Sequence, residues 1–186
     1  MNIPGLTPAS QALLSRYAGL VREWAPRLDL VAPGDLTQFE ERHIGNSLRL
    51  LPLVRSLGPG VAIDVGSGAG LPGLPLAIAE PDRVWRLLEP RGRRAAFLEE
   101  AVRSLGLSCE VVRATAEEAA GDPRLARAHV VATARAVAAP RGALGLLEPL
   151  VAEDGVAALF VGEGASIPPE AELWAPGIAI VGGRPA

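Results

Sequence analysis

The chain has 186 residues, of which 49% are apolar, and a formal net charge of −3. This length suits one compact domain with its own core, and the charge is unlike that of proteins that bind nucleic acid through a uniformly basic surface. A single cysteine, Cys109, excludes an internal disulfide framework and a cysteine-rich metal site, and the absence of lysine among the 18 basic residues excludes lysine-based catalysis.

Residues 1–58 are predicted to form a helical extension. They lack the basic and apolar regions of a signal peptide, and no apolar run in the chain is long enough to cross a bilayer, so we expect a cytoplasmic protein with no membrane partner. Thr7 is a candidate N-cap for a helix that ends before Pro26. Asp35, with a glutamine three residues later, has the pattern of a capping box and predicts a second helix that reaches about Arg55.

From residue 59 to residue 186, short apolar strands alternate with helices in one compact domain. Strands are predicted at 61–64, 84–89, 109–113, 129–133 and 155–161, and a last apolar run at 177–181 is predicted as an edge strand. Helices are predicted at 72–79, at 91–105, near Glu117 and at 140–151. This alternation predicts an α/β fold with a mostly parallel sheet and helices on both faces.

A glycine-rich segment follows the first predicted strand, with the order D-x-G-x-G-x-G from Asp64 to Gly70. Ligands bind beyond the carboxyl ends of the strands in an open parallel sheet, so this segment is a candidate binding loop. A nucleoside triphosphate is disfavoured, because its phosphate loop needs a lysine. A dinucleotide fits the spacing of the glycines, with Glu89 as the ribose ligand, but one tyrosine and two histidines leave few acid–base partners for hydride transfer.

S-adenosylmethionine is the third candidate ligand and the favoured one. Its two ribose hydroxyls suit the carboxylate of Glu89, and its cationic amino group suits Asp64, directly or through water. A carboxylate so close to the loop would repel a pyrophosphate. The remaining alternative is a strand–helix turn without a ligand, which is disfavoured because three alternating glycines carry a high entropic cost in a turn that binds nothing.

Several further segments, between about residues 17 and 162, belong together with this loop. They are "REWAPRLDLVAP", "ERHIGNSL", "DVGSGAGLPGLPLAIA", "LLEPRGRRAAFL", "ATAEEA" and "VVATARAVA". As a set they resemble the motifs of the bacterial RsmG (GidB) family, whose members methylate N7 of a guanine in 16S ribosomal RNA. The resemblance implies a Rossmann-like fold of class I, S-adenosylmethionine as the cofactor, and 16S rRNA or the 30S subunit as the partner.

The resemblance and the loop chemistry together predict the site residues. Those predicted to bind the cofactor are Asp64, Gly66, Ser67, Gly68, Gly70, Leu71, Glu89, Ala116, Glu117 and Arg135. Those predicted to face the substrate are Arg42, His43 and Asn46, and those predicted to act in catalysis are Arg135 and His43. The arginines at 91, 93 and 94 either contact RNA phosphate or form a solvated helix face. No metal site is predicted.

Methylation of guanine N7 needs no general base, because this nitrogen carries no proton. The protein then has mainly to align the acceptor with the methyl group, and such positioning contributes up to about 7–11 kcal/mol in favourable cases. Arg135 is a candidate donor to the O6 edge of the base or to a phosphate. A carbon or phenol acceptor would instead need a base, for which His43 is the candidate; its other interpretation is a packed or capping residue.

Three features depart from the family pattern. Asn46 replaces an aspartate, and Val161 and Gly162, followed by Glu163, stand where a Lys-Gly pair is expected. The chain ends at Ala186 with an acidic tail and is expected to be shortened at the C-terminus. These departures lie on the side predicted to face RNA, where phosphate contacts dominate affinity. Two alternatives therefore stay open: a methyltransferase for a small molecule, and a non-catalytic module that binds S-adenosylmethionine or S-adenosylhomocysteine.

Overall fold

The computed structural model describes residues 5–135, 138–162 and 164–182. The N-terminal part contains α1 (Pro8–Trp24), a 3₁₀-helix (Pro33–Gln38), a π-helix (Phe39–Ile44), α2 (Gly45–Leu48) and α3 (Leu51–Ser56). The remainder contains β1 (Ala62–Val65), α4 (Gly73–Ala79), β2 (Trp85–Leu88), α5 (Gly92–Leu105), β3 (Cys109–Val112), α6 (Ala116–Gly121), β4 (His129–Arg135), α7 (Pro140–Leu147), a 3₁₀ turn (Glu148–Leu150), β5 (Val151–Phe160), β6 (Glu172–Ala175) and β7 (Ile178–Gly182). The predicted alternation of strands and helices is confirmed.

The seven strands form one sheet in the order β3-β2-β1-β4-β5-β7-β6. The first five of these are parallel neighbours, and the β5–β7 and β7–β6 pairs are antiparallel. The prediction that the last apolar run is an edge strand is wrong, because β7 pairs on both sides. The edge strand is β6, which the sequence analysis missed because its side chains are half exposed and follow no apolar alternation.

The capping box predicted at Asp35 is also wrong. The 3₁₀-helix there begins after Ala32 without a side-chain cap, and the Asp35 carboxylate accepts a hydrogen bond from Arg42 Nη1 at 2.7 Å. A true capping box begins α6, where the Thr115 hydroxyl and the Glu118 carboxylate each accept a backbone N–H of the other residue. The same pattern of residue types therefore caps a helix at Thr115, whereas at Asp35 the carboxylate pairs with an arginine.

Helices cover both faces of the sheet, as the fully buried side chains of β1 require. One core cluster lies on the face covered by α1, α3, α4 and α5, and it includes Tyr17, Phe39, Leu74 and Phe97. The second lies on the face covered by α6 and α7 and includes Leu144. The N-terminal helices therefore share a core with the sheet, and the division of the chain at residue 58 stays a prediction. No helix within the described ranges is long and apolar enough to span a membrane.

Candidate active site

The glycine loop, residues 66–70, follows β1 at the carboxyl edge of the sheet. Its three glycines have φ angles of +68°, +56° and +90°, a conformation that favours glycine over every other residue. The backbone N–H groups of Gly66 and Ser67 donate to the Leu88 carbonyl at 2.8 and 3.0 Å. The loop therefore turns across the end of β2, and its backbone is open to close approach by a ligand.

Asp64 lies beneath this loop and is fully buried. Its Oδ2 accepts a hydrogen bond from the Gly73 N–H at 3.1 Å, and its Oδ1 accepts one from the Thr133 hydroxyl at 2.8 Å. Both carboxylate oxygens thus accept hydrogen bonds from the protein, and Asp64 is not among the lining residues of the three cavities described below. The direct contact expected between Asp64 and a ligand's amino group does not fit this geometry, because the carboxylate instead holds α4 and β4 to β1.

Burial raises the pKa of Asp64 to about 6, against the opposing effect of its hydrogen bonds and of Arg135. Since the unfolded-state value is lower, the folded protein takes up this proton first as the pH falls. The resulting stabilisation is complete below the unfolded-state pKa and is lost as the pH rises through about 6.

We therefore expect the Asp64→Asn variant to reveal a pH-dependent difference in stability. Between pH 7.5 and pH 4, the free energy of unfolding of the parent protein should rise by about 2 kcal/mol relative to the variant, because the asparagine does not titrate. Burial lowers the pKa of His43 and of His129, which acts in the opposite direction but in both proteins. Urea unfolding at a series of pH values measures the difference, and a difference that stays constant with pH would contradict this account.

Glu89 connects the glycine loop to the start of α5. Its Oε2 accepts a hydrogen bond from the Gly68 N–H and its Oε1 accepts one from the Arg91 N–H, both at 2.9 Å. The side chain is almost fully buried beneath the loop. A carboxylate has about four lone-pair sites, so two remain for a ligand's hydroxyl groups. Glu89 therefore has a structural role in the loop, and its role in binding a ligand stays a prediction.

A cavity of about 300 Å³, here called the loop cavity, separates the glycine loop from the N-terminal helices. Its lining residues are Leu30, Val31, Ala32, Asp35, His43, Gly66, Ser67, Gly68, Ala69, Leu71, Arg94 and Arg135. Five of the ten predicted cofactor residues are among them. The N-terminal segment around Val31 supplies the opposite wall, which the sequence analysis did not assign to the site.

Two arginines of α5 hold that opposite wall in place. Arg93 Nη2 donates to the Arg27 carbonyl at 2.8 Å, and Arg94 Nη2 donates to the Asp29 carbonyl. For Arg93 and Arg94 the structure thus adds a role that neither interpretation included, while Arg91 is exposed at the start of the helix. Tyr17 of α1 adds a third connection, since its hydroxyl donates to the Ala69 carbonyl in the glycine loop at 2.7 Å.

Arg135, at the end of β4, is joined to the N-terminal helices by a chain of polar contacts. Its Nη2 lies 2.7 Å from Nδ1 of His43. Nε2 of His43 lies 3.4 Å from Oδ2 of Asp35, and Oδ1 of Asp35 accepts from Arg42. Arg135 Nη1 is buried and has no hydrogen-bond partner among the described residues. This free donor is available to an acceptor atom of a ligand.

Arg135 also lines two cavities beside the loop cavity. One, here called the base cavity, has a volume of about 320 Å³, and the other, here called the groove cavity, has a volume of about 390 Å³. The base cavity is lined by Asn46, Ala134, Arg135, Ala138, Pro140, Ala143, Leu159, Phe160, Val161, Gly162 and Ala165. The groove cavity is lined by Arg42, His43, Asn46, Arg49, Arg135, Val161, Pro176 and Gly177. Arg135 thus contributes to the lining of all three cavities.

The other predicted residues lie at the same edge of the sheet with different surroundings. Gly70 ends the loop, and a side chain there would overlap Leu74. Ala116 and Glu117 begin α6 after β3 and do not line the loop cavity. The departure at Glu163 lies outside the described residues.

Sequence reasoning missed Asp35, Arg94 and the wall formed by residues 30–32. The "RLDLVAP" segment was recognised as one of the family's motifs, and this was the available signal for the wall. Asp35 was not assigned to the site because its sequence pattern is also that of a helix N-cap. Arg94 was treated with its neighbours as a surface charge, because nothing in a helix-start pattern shows which backbone carbonyl an arginine reaches.

Comparison with known proteins decides the family. The family described as GidB, rRNA small subunit methyltransferase G, matches residues 10–171. The chain belongs to this family. Curated relatives named ribosomal RNA small subunit methyltransferase G include that of Leifsonia xyli subsp. xyli, 47% identical over 73% of this chain and 62% of the relative. The proteins of that name from Acidiphilium cryptum and Clavibacter sepedonicus are each 41% identical, over 87% and 85% of this chain and 71% and 75% of theirs.

Solved structures agree with the GidB assignment at the level of the fold. A methyltransferase from Geobacter sulfurreducens matches with a TM-score of 0.62 and 15% identity, over 95% of this chain and 89% of that one. A putative caffeoyl-CoA O-methyltransferase from Staphylococcus aureus matches with a TM-score of 0.56 and 12% identity, over 81% and 71%. The expected family and the Rossmann-like fold are confirmed. The chain spans roughly 62–75% of the length of the three curated relatives named above.

Proposed function

We propose that the protein binds S-adenosylmethionine in the loop cavity and transfers its methyl group to N7 of a guanine in 16S rRNA, on the 30S subunit. The observation that carries this proposal is that Arg135 lines all three cavities and has a buried Nη1 without a partner among the described residues. One cavity adjoins the glycine loop, and the other two lie beyond it. An arginine in this position can contact the cofactor and the acceptor at the same time.

The residues of the loop cavity fit the proposed cofactor. Leu30, Val31 and Leu71 offer apolar contacts, and the glycine loop offers backbone groups. Glu89 lies beneath the loop with two lone-pair sites for ribose hydroxyls. S-adenosylmethionine supplies, when bound, an activated methyl group on a positively charged sulfur. The protein has to hold this group and exclude water around it, which the wall of the N-terminal segment supports.

The base cavity suits a planar purine. Its walls are formed by alanine, proline, leucine and phenylalanine side chains, and its polar side chains are those of Arg135 and Asn46. Arginine is the usual partner of the O6/N7 edge of guanine. In this proposal Arg135 Nη1 donates to O6, while N7 stays free to accept the methyl group. No residue has to remove a proton, so His43 positions Arg135 instead of acting as a base.

The groove cavity suits the phosphate backbone of the substrate. Arg42 and Arg49 line it together with Arg135, and no acidic residue is among its lining residues. Contacts to phosphate fix the register of a protein on nucleic acid and make affinity strongly dependent on salt. The net negative charge of the whole chain is compatible with this local concentration of arginine.

A methylation assay with labelled S-adenosylmethionine tests the proposal. Purified protein is incubated with 30S subunits, with protein-free 16S rRNA and with 50S subunits as a control, and the RNA is digested to nucleosides. The proposal expects 7-methylguanosine from the small-subunit samples alone, and a rate that falls steeply as salt rises. Transfer to small molecules without a salt dependence, or cofactor binding without any transfer, would overturn it in favour of one of the two alternatives.

Replacement of Glu89 tests the cofactor part separately. We expect Glu89→Gln to weaken binding of S-adenosylhomocysteine by about 10-fold or more, because a charge-assisted hydrogen bond contributes roughly 1.5–3 kcal/mol. Isothermal titration calorimetry measures the affinity. Glu99→Gln, an exposed position on α5, is the matched control and should bind as the parent does. Equal affinities for the two variants would remove Glu89 from the binding site.

A further inference from the structure

The contact between Arg135 and His43 determines where His43 carries its proton. Arginine is a donor in every hydrogen bond it makes. Nδ1 of His43, 2.7 Å from Arg135 Nη2, must therefore be the accepting, unprotonated nitrogen. The proton of the neutral ring is then on Nε2. This tautomer follows from donor and acceptor chemistry alone.

Nε2 of His43 faces Asp35. It is buried and makes no hydrogen bond with the described residues, and Oδ2 of Asp35 lies 3.4 Å away from it. The other oxygen of the same carboxylate accepts from Arg42 Nη1 at 2.7 Å. Arg42 thereby fixes the orientation of the carboxylate, and a negative oxygen stands opposite the nitrogen that must carry the proton.

The second histidine provides an internal contrast. Nδ1 of His129 lies 2.8 Å from the Leu150 carbonyl, which can only accept, and Nε2 lies 3.2 Å from Arg86 Nη1, which can only donate. His129 therefore has its proton on Nδ1. The chain contains two histidines, and the structure requires opposite tautomers for them.

We propose that Asp35 is a positioning residue that holds His43 in the tautomer protonated on Nε2 and, through it, orients the guanidinium of Arg135 toward the three cavities. The orientation matters for catalysis only if the proposed function holds, whereas the tautomer of His43 does not depend on it. Asp35 itself has no part in the transfer of the methyl group.

Acid should disturb this arrangement. A second proton on His43 would go to Nδ1 and point at Arg135, so the contact between the two side chains would break. The groups that face the imidazole are Arg135 from β4, Asp35 from the 3₁₀-helix, and Arg42 and the Phe39 ring from the π-helix. Burial and the charges of Arg135 and Arg42 lower the pKa of His43, while Asp35 raises it, so the neutral ring is the state at physiological pH.

Nitrogen-15 NMR of the free protein is the first test. The two ring nitrogens of a neutral histidine have distinct shifts according to which one carries the proton, and two histidines give a simple spectrum. We expect the parent protein to show one ring of each tautomer. Without Asp35 the imidazole is held less firmly against Arg135, so Asp35→Ala should weaken that contact, shift the His43 pattern toward a mixture and leave that of His129 unchanged. Two rings protonated on Nδ1 in the parent, or an unchanged His43 in the variant, would overturn the proposal.

A double-mutant cycle tests the route through His43. Asp35→Ala should lower kcat by about 10-fold, the equivalent of one hydrogen bond, with little change in the KM for cofactor. In a His43→Asn background, an amide oxygen can accept from Arg135 without a tautomer, so Asp35→Ala should then have little effect. Equal effects in both backgrounds would overturn the role through His43. Glu40→Gln, which removes an exposed pair with Arg22, is the matched control.

The NMR and kinetic results together separate the two proposals. The expected tautomers with no methyl transfer on any RNA would remove the proposed function and leave the role of Asp35 on the His43 ring. Methyl transfer to 16S rRNA with an unchanged His43 tautomer in Asp35→Ala would remove the role of Asp35 and leave the proposed function in place.

Discussion

Replacement of Arg135 by alanine is expected to lower kcat/KM for methyl transfer by about 10²- to 10³-fold, the usual loss when a preorganised donor is removed from an active site. Arg135 lines the loop cavity, the base cavity and the groove cavity, and its buried Nη1 has no partner among the described residues. No other described residue lines all three spaces. Its loss should therefore affect cofactor and acceptor together.

Arg135→Lys distinguishes charge from geometry. A lysine keeps the positive charge but replaces a planar fork of donors with a single ammonium group. It cannot contact Nδ1 of His43 and a ligand acceptor with the same spacing, so we expect it to recover less than a tenth of the activity lost in Arg135→Ala. Single-turnover kinetics with saturating cofactor measure this. A lysine variant with the full parent rate would show that charge alone is needed.

The control for these variants is Arg103→Ala. Arg103 lies exposed on α5, where it pairs with Glu100 one helical turn away, and surface pairs of this kind contribute little to stability. Circular dichroism and thermal unfolding show whether each variant is folded. Parent-like transfer by a folded Arg135→Ala protein would exclude Arg135 from the site.

Gly73→Ala is expected to destabilise the fold by about 1–3 kcal/mol, the usual cost of overpacking a filled core, and to abolish detectable cofactor binding. A Cβ at this position would lie 2.6 Å from Leu87 Cδ2 and 2.8 Å from Oδ2 of Asp64. Room can be made only if Asp64 moves, and its carboxylate holds the start of α4 and Thr133 of β4. The glycine loop between these elements should lose its conformation.

Gly19→Ala is the matched control for that substitution. Gly19 lies on the exposed face of α1, and a Cβ there would meet nothing within 4 Å. Since alanine is the better helix former, this variant should be more stable by up to about 1 kcal/mol. Urea unfolding and calorimetric titration with S-adenosylhomocysteine compare the two. Gly73→Ala with the stability and affinity of the parent would contradict the role assigned to Asp64.

The sequence was sufficient to predict the sheet and the position of the site within it. Strands β1 to β5 are short, mostly apolar segments separated by helices, and this pattern favours a parallel sheet. Strand β6 could not be predicted, since its side chains at the edge of the sheet are half exposed. The roles of Asp64 and of Arg93 depended on which distant backbone atoms their side chains reach, and no local pattern contains that information.

The candidate site, too, could be predicted only in part from the sequence. The resemblance to the family predicted that Arg135 and His43 lie beside the glycine loop, and the structure brings them together there. The capping pattern at Asp35 led to the wrong interpretation, because the same residue types cap helices and pair with arginine. Only the position of Arg42 and His43 in the fold distinguishes these two uses.

Because Arg93 and Arg94 donate to the carbonyls of Arg27 and Asp29, the proposed cofactor site depends on two segments that are far apart in the sequence. Five of the twelve residues that line the loop cavity lie before residue 44, ahead of the glycine loop in the sequence. Inherited changes in residues 26–32 should therefore resemble changes in the glycine loop in their effect. In a survey of inactive alleles, we expect these two groups to fall into one class, with weakened cofactor binding as the shared defect.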